Sequence, residues 1–198
     1  MSDVCQSPGP AHAETVESSL RTFGLSCGRL KRTQLAELAR TIGQQEHLWR
    51  PLVRHDDAQR WYARLFYARN VEVWLIGWET GQDTQFHDHG GSSGAFYVAQ
   101  GRLTEQYGNV EGSSGLSDRV HACGRTVPFG PAYVHNLGNS DAEPATSVHA
   151  YSPPLTTMTY YRPEGNLLVP YDTLFTKPDP GVDVTEADAP GGYFTAVT

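Results

Sequence analysis

The spacing of apolar and polar positions changes character along the chain. In TQLAELARTIGQQEHLW, Leu35, Leu38, Ala39 and Ile42 recur at i, i+3, i+4 and i+7, the stripe of an amphipathic helix laid on a larger body. A second helical piece is predicted over Asp57–Phe66, with Trp61 and Leu65 along one side and Arg64 beside them. From Val71 the helical period gives way to short runs rich in Val, Tyr, Phe and Thr, such as VEVWLIGW, GAFYVAQGRLTEQYG, AYVHNLG and SVHAYSPP, broken by Gly, Pro, Asn and Asp. Short strands with turns at roughly eight- to twelve-residue spacing predict an antiparallel sandwich or barrel. The expected architecture is therefore all-β, with α-helices on its N-terminal side. Residues 1–18 are polar and rich in small side chains, which predicts a disordered arm. Residues 19–198 are expected to form one domain: a helical part over about 30–66, a barrel over about 70–170, and an extended C-terminal tail.

Composition narrows the range of functions. A chain of 198 residues with 38% hydrophobic residues can bury a real core. The net charge of -7 argues against nucleic acid or an anionic membrane as partner, since binding to either requires clustered Lys and Arg. A small-molecule partner and a monomeric state are expected. Cys5, Cys27 and Cys123 have no paired or metal-like spacing, which predicts a reducing compartment. The start MSDVCQSPGPAHAETVESSL does not read as a signal peptide, and no run approaches the roughly 18 apolar residues needed to span a bilayer. A cytoplasmic location is the resulting expectation.

Candidate chemistry lies in the histidines. His12 sits in the polar arm, and His47, His55 and His121 have polar or charged neighbours, so a surface position is expected for all of these. His87 and His89, in FHDHGGSSGAF, are two residues apart and would project from one face of a strand, where two imidazoles can chelate a metal ion. A wet strand face is the alternative. The surroundings resemble the first cupin motif: Gly81, five residues, His87-Asp88-His89, four residues, Gly94, six residues, Gly101. Gly94 stands where that motif has its glutamate. Pro128-Phe129-Gly130, His135 and Asn139 are similar to the second cupin motif, with altered loop lengths ahead of the histidine. The resemblance implies a double-stranded β-helix, or jelly-roll barrel, with His87, His89 and His135 around one metal. Three nitrogen donors suit Fe, Zn, Cu or Ni by ligand type. By resemblance, a three-histidine cupin without the glutamate is the mark of the thiol dioxygenases, which use Fe(2+).

In SVHAYSPP, the alternating residues Ser147, His149 and Tyr151 would share one strand face. A half-buried strand with a wet face gives the same alternation, but the run closely resembles the relay of the cysteine dioxygenase family. The likeness extends over about Arg60–Met158. It implies addition of both atoms of O2 to the sulfur of L-cysteine, with Ser147, His149 and Tyr151 as catalytic residues. Tyr62-Ala63-Arg64 resembles the family's Tyr-x-Arg pattern, which implies that Arg64 holds the substrate carboxylate with Tyr62 beside it; Arg69 is kept in reserve. Mercaptopropionate dioxygenases have glutamine at that point. Animal members of the family carry a crosslinking cysteine where Gly94 stands, so an unmodified Tyr151 is expected. The competing readings are a dioxygenase of 3-mercaptopropionate or cysteamine, a non-catalytic metal-binding cupin, and a zinc hydrolase or isomerase on the same barrel.

Overall fold

The computed structural model describes residues 28–108, 116–165, 167–176 and 194–196; the arm over 1–18 and most of the C-terminal tail lie outside the described residues. Helix α1 (Arg32–Gln44) begins where Gln34 Oε1 accepts the Lys31 main-chain N–H at 2.9 Å, and a short α2 (Glu46–Trp49) follows. All four positions of the predicted stripe, Leu35, Leu38, Ala39 and Ile42, are fully buried.

The strands are β1 (Trp61–Ala68), β2 (Val71–Trp78), β3 (Phe86–His87), β4 (Ser93–Gln100), β5 (Arg102–Gly108), β6 (Ser117–Ala122), β7 (Thr126–Phe129), β8 (Val134–Gly138), β9 (Ala145–Ser152), β10 (Thr157–Glu164), β11 (Leu167–Thr176) and β12 (Phe194–Ala196). They form two antiparallel sheets, ordered β1-β2-β9-β4-β7 and β12-β11-β10-β3-β8-β5-β6. The expected all-β jelly roll is the observed architecture.

Side-chain alternation divides the first sheet into two faces. Val73, Leu75, Ala95, Tyr97, Val148 and Ala150 pack outward into one core with the α1 stripe. The intervening residues, among them Trp74, Ile76, Trp78, Phe96 and Tyr151, belong to a second core inside the barrel. The helix thus seals the back of the sheet whose front carries the chemistry. Helix and sheet approach closely at Gly43, where an added Cβ would lie 2.1 Å from the Tyr97 ring.

The second helix expected over Asp57–Phe66 is not formed, because residues from Trp61 onward are β1, paired antiparallel with β2. Trp61, Phe66 and Ala68 pack on the outer core, whereas Tyr62, Arg64 and Tyr67 face inward. A register shift between Arg64 and Phe66 changes the phase of the alternation in mid-strand. The Trp61–Leu65 spacing therefore imitates a helical stripe in the sequence, while the aromatic-rich segment takes up ladder hydrogen bonds with β2.

Candidate metal and substrate site

The three candidate ligands converge through strand pairing. His87 on β3 lies opposite His135 on β8, and Tyr160 on β10 flanks His87 on the other side. His89 lies two residues beyond the end of β3. Its ring centroid is 4.9 Å from that of His87 and 5.1 Å from that of His135, while His87 and His135 are also 4.9 Å apart. All three are buried, and one ring nitrogen from each lies within 4.8 Å of the others.

Asp88, between the two histidines, is directed away from them. Its Oδ1 accepts the main-chain N–H groups of Gly90 and Thr159 at 3.0 and 3.1 Å, and its Oδ2 accepts the Tyr161 hydroxyl at 2.7 Å. This pins the segment to β10. Just upstream, Gln85 has φ 58°, a left-handed conformation that is unusual for a non-glycine residue. Its carbonyl accepts His87 Nδ1–H at 2.9 Å, leaving Nε2 of that ring for a ligand.

His135 is oriented by a residue that no motif in the sequence marks. Glu105 on β5 is fully buried; its Oε1 accepts His135 Nδ1–H at 2.7 Å and the Tyr133 hydroxyl at 3.1 Å, and its Oε2 accepts His121 Nε2–H at 2.8 Å. Burial alone would raise the carboxyl pKa, but the hydrogen bonds from His121 and His135 outweigh it and hold the group at about 2. Glu105 is therefore ionised at neutral pH. His121, expected at the surface, is buried beneath it. His55, also expected there, is half-buried, with Nε2 3.0 Å from the Ala145 carbonyl. His47 is exposed.

Whether these residues suit a metal is tested most directly at His89. The ring is fully buried and neither nitrogen has a hydrogen-bond partner; the Tyr133 main chain lies nearby without meeting hydrogen-bond geometry. An unpaired buried polar group costs roughly 1–3 kcal/mol, and coordination of an ion would remove part of that cost. Burial and the neighbouring His87 and His135 also push the His89 pKa well below the usual histidine value, which favours the neutral, ligating form. The donor set fits a metal ion.

Gly94 accounts for the missing glutamate sterically. It lies opposite Tyr151 on β9 and Phe129 on β7, and a Cβ built on it would sit 2.3 Å from Phe129 Cζ and 3.0 Å from Tyr151 Cδ1. The Phe129 ring fills the room a longer side chain would need, and it lies against His89, tilted by 30°, at a centroid distance of 4.6 Å.

Ser147, His149 and Tyr151 occupy successive inward positions of β9, all of them buried, and Trp78 extends the chain they form. Trp78 Nε1–H donates to Ser147 Oγ at 2.9 Å, Ser147 Oγ lies 2.8 Å from His149 Nε2, and His149 Nδ1 lies 3.3 Å from the Tyr151 hydroxyl. An indole can only donate, so Ser147 Oγ accepts from Trp78 and keeps its own hydroxyl proton to give. With that proton directed at Nε2, the neutral His149 ring carries its own proton on Nδ1 and donates to Tyr151, whose own O–H points onward. Burial lowers the His149 pKa to about 3 and raises that of Tyr151, so a neutral imidazole and a protonated phenol persist at neutral pH.

A cavity of about 100 Å³ gathers these groups: His87, His135, His149, Tyr151, Tyr62 and Arg64 all line it. Arg64 is buried, with its guanidinium over the Tyr67 and Trp74 rings and Nη1 3.9 Å from Glu72 Oε2. Arg69, the reserve candidate, is exposed in the β1–β2 connection. Arg60, Trp78, Glu72 and Glu105 were not singled out in the sequence.

Comparison with known proteins gives the class to which this arrangement belongs. Residues 29–163 match the family model described as cysteine dioxygenase type I, and the chain belongs to that family. Solved structures of lower similarity include a Thermus thermophilus protein (20% identity, TM-score 0.47, covering 53% of this chain and 93% of that one). A Klebsiella pneumoniae protein with a double-stranded β-helix domain shows 20% identity and TM-score 0.45, covering 52% of this chain and 85% of that one. A cupin superfamily protein of Desulfitobacterium hafniense shows 10% identity and TM-score 0.45, covering 52% and 86%.

Proposed function

We propose that this chain is an iron-dependent dioxygenase that adds both atoms of O2 to the sulfur of L-cysteine, giving cysteine sulfinate. The observation that carries the reading is the directed Trp78–Ser147–His149–Tyr151 chain, which ends in the cavity lined by His87 and His135. A metal-storage cupin has no use for such a chain.

His87, His89 and His135 would hold the Fe(2+), which when bound favours the thiolate form of the substrate and provides for its reaction with O2. The sulfur loses four electrons and O2 accepts four, so no outside reductant is consumed. The residues of the chain position the reactants. Tyr151 presents a phenol proton that burial keeps in place, available to an oxygen or sulfur atom in the cavity. His149 and Ser147 set the direction of that phenol. Arg64 offers parallel N–H donors suited to a carboxylate, with Tyr62 on the same strand face. Carboxylate recognition favours L-cysteine over cysteamine, and 3-mercaptopropionate remains the nearest alternative substrate.

The test is oxygen uptake by the iron-loaded protein with L-cysteine, cysteamine and 3-mercaptopropionate in turn. The reading predicts the highest kcat/KM for L-cysteine; a clear preference for cysteamine would remove the role given to Arg64.

A further inference from the structure

Strand β2 carries an acid on the face it turns into the barrel. Its inward residues are Glu72, Trp74, Ile76 and Trp78, so a carboxylate heads a row that is otherwise apolar or aromatic. Glu72 is 2% exposed and lines the same cavity as His87 and Tyr151. It is paired across the sheet with Tyr151 on β9, and side chains paired in this way are close neighbours. The negative charge of Glu72 is felt at the Tyr151 phenol, whose ring stacks on that of His89 at a centroid distance of 5.4 Å.

The two oxygens of Glu72 are engaged differently. Oε1 accepts the Leu155 main-chain N–H at 2.8 Å, which ties the turn after β9 to β2. Oε2 faces Arg64 Nη1 at 3.9 Å, longer than a hydrogen bond. Burial pushes the carboxyl above the usual carboxylate range, against the pull of the Leu155 N–H, Trp74 and Arg64. Anchoring Leu155 needs only an amide oxygen, and a glutamine would supply one. A carboxylate in this place carries a larger desolvation cost, which a positively charged donor reaching Oε2 from the cavity would offset. Of the groups on the candidate thiols, the amino group is such a donor and the carboxylate is not.

We propose that Glu72 is a specificity-determining residue that accepts an N–H of the substrate's amino group, so that the cavity selects amino thiols over thiols that carry a carboxylate alone. The assignment rests on the thiol dioxygenase reading for the class of substrate. Sulfur and nitrogen in L-cysteine and cysteamine are separated by two carbons, on the order of 4 Å. A thiol held at His87, His89 and His135 therefore keeps its amino group inside the cavity, where Glu72 flanks Tyr151. 3-Mercaptopropionate has a hydrogen in place of the amino group. It offers Oε2 no donor and brings a second negative charge into the cavity without a compensating cation.

The test compares the iron-loaded parent with Glu72→Gln and Glu72→Asp. It measures anaerobic calorimetric binding of L-cysteine, cysteamine and 3-mercaptopropionate, together with oxygen uptake. Glutamine keeps an oxygen for the Leu155 N–H and removes the charge. Loss of one charge-assisted hydrogen bond in a buried site predicts that Glu72→Gln raises the Kd for L-cysteine and for cysteamine by about tenfold or more. 3-Mercaptopropionate binds this variant as tightly as it binds the parent, or more tightly. Cysteamine has no carboxylate and 3-mercaptopropionate has no amino group, so the two probes report separately: a change acting through Arg64 weakens 3-mercaptopropionate and spares cysteamine. That pattern, equal losses for all three thiols, or unchanged cysteamine binding overturns the assignment. If Glu72→Gln does not fold, Glu72→Asp, whose carboxylate is withdrawn by one carbon, carries the test. Cysteamine then loses more affinity than 3-mercaptopropionate, and equal changes overturn the assignment. A parent that consumes no oxygen with any thiol, yet binds cysteamine in a Glu72-dependent way, sinks the dioxygenase reading and leaves this one standing.

Discussion

Replacing Glu105 by glutamine tests how a site with no acidic ligand accommodates a cation. Glu105 accepts from His135, His121 and Tyr133 at 2.7, 2.8 and 3.1 Å. Glutamine keeps the shape, removes the charge and turns one acceptor oxygen into an NH2 donor, which then meets a histidine N–H or the phenol head-on. Each charge-assisted bond of this kind contributes roughly 1.5–3 kcal/mol. Losing the carboxylate behind a metal-ligating histidine typically weakens metal affinity by about 10–100-fold, or roughly 1.4–2.7 kcal/mol. Glu105→Gln is therefore expected to weaken metal binding by one to two orders of magnitude, as measured by anaerobic chelator competition with Fe(2+) or a cobalt surrogate. Thermal unfolding without metal separates this effect from a general loss of stability. Metal affinity equal to that of the parent would refute the claim that Glu105 supplies, through His135, the negative charge absent at Gly94. Glu105→Asp, which keeps the charge with a shorter reach, is expected to recover part of the affinity.

Further outcomes follow from the same geometry. Tyr151→Phe should retain iron and fold while losing at least about tenfold in kcat, as expected when a positioned proton donor is removed, and oxygen uptake at the parental rate would remove the phenol from the mechanism. Ser147→Ala leaves the Trp78 N–H and His149 Nε2 unpaired and should reduce kcat less than Tyr151→Phe does, with loss of the fixed His149 tautomer visible by NMR. Gly94→Cys forces a side chain against Phe129 and Tyr151; overpacking of this kind costs about 1–3 kcal/mol, measurable by denaturant unfolding. In the parent protein, peptide mass analysis should show Tyr151 without loss of two hydrogens. His149 titrates at about 3 in the folded protein and near 6.5 when unfolded, so between those values the unfolded state binds the extra proton. Stability attributable to this residue is intact above about pH 6.5 and falls toward pH 3 by up to about 1.4 kcal/mol per pH unit. His149→Gln should flatten that part of the pH–stability curve.

What was legible in the sequence is what local spacing encodes. The α1 stripe and the inward triad of β9 each follow from a single helical or strand period, and burial of Leu35, Leu38, Ala39, Ile42, Ser147, His149 and Tyr151 matches them; His87 and His89 do come together, but only His87 lies in a strand. What was missed depends on contacts between strands. Glu105 sits in RLTEQYG, which reads as an ordinary polar strand. It becomes central because Leu103 pairs with His121 on β6 and Tyr107 pairs with His135 on β8, putting both histidines diagonal to it. Trp78 reaches Ser147 by a similar diagonal, since Ile76 is the residue paired with Ser147. Arg60 lies outside any strand, and no local spacing marks it as lining the same cavity as Tyr62 and Arg64. The one misread element, β1, carries a bulge that breaks its alternation, and such a shift leaves no period-2 signature.

The central claim is the reaction at the three-histidine cavity, and one measurement addresses it directly: anaerobic iron loading, then oxygen uptake with L-cysteine and mass analysis of the product. The account predicts one O2 consumed per thiol, without added reductant, and a product heavier than L-cysteine by two oxygen atoms. No oxygen consumption, or conversion of the thiol to cystine alone, would contradict it.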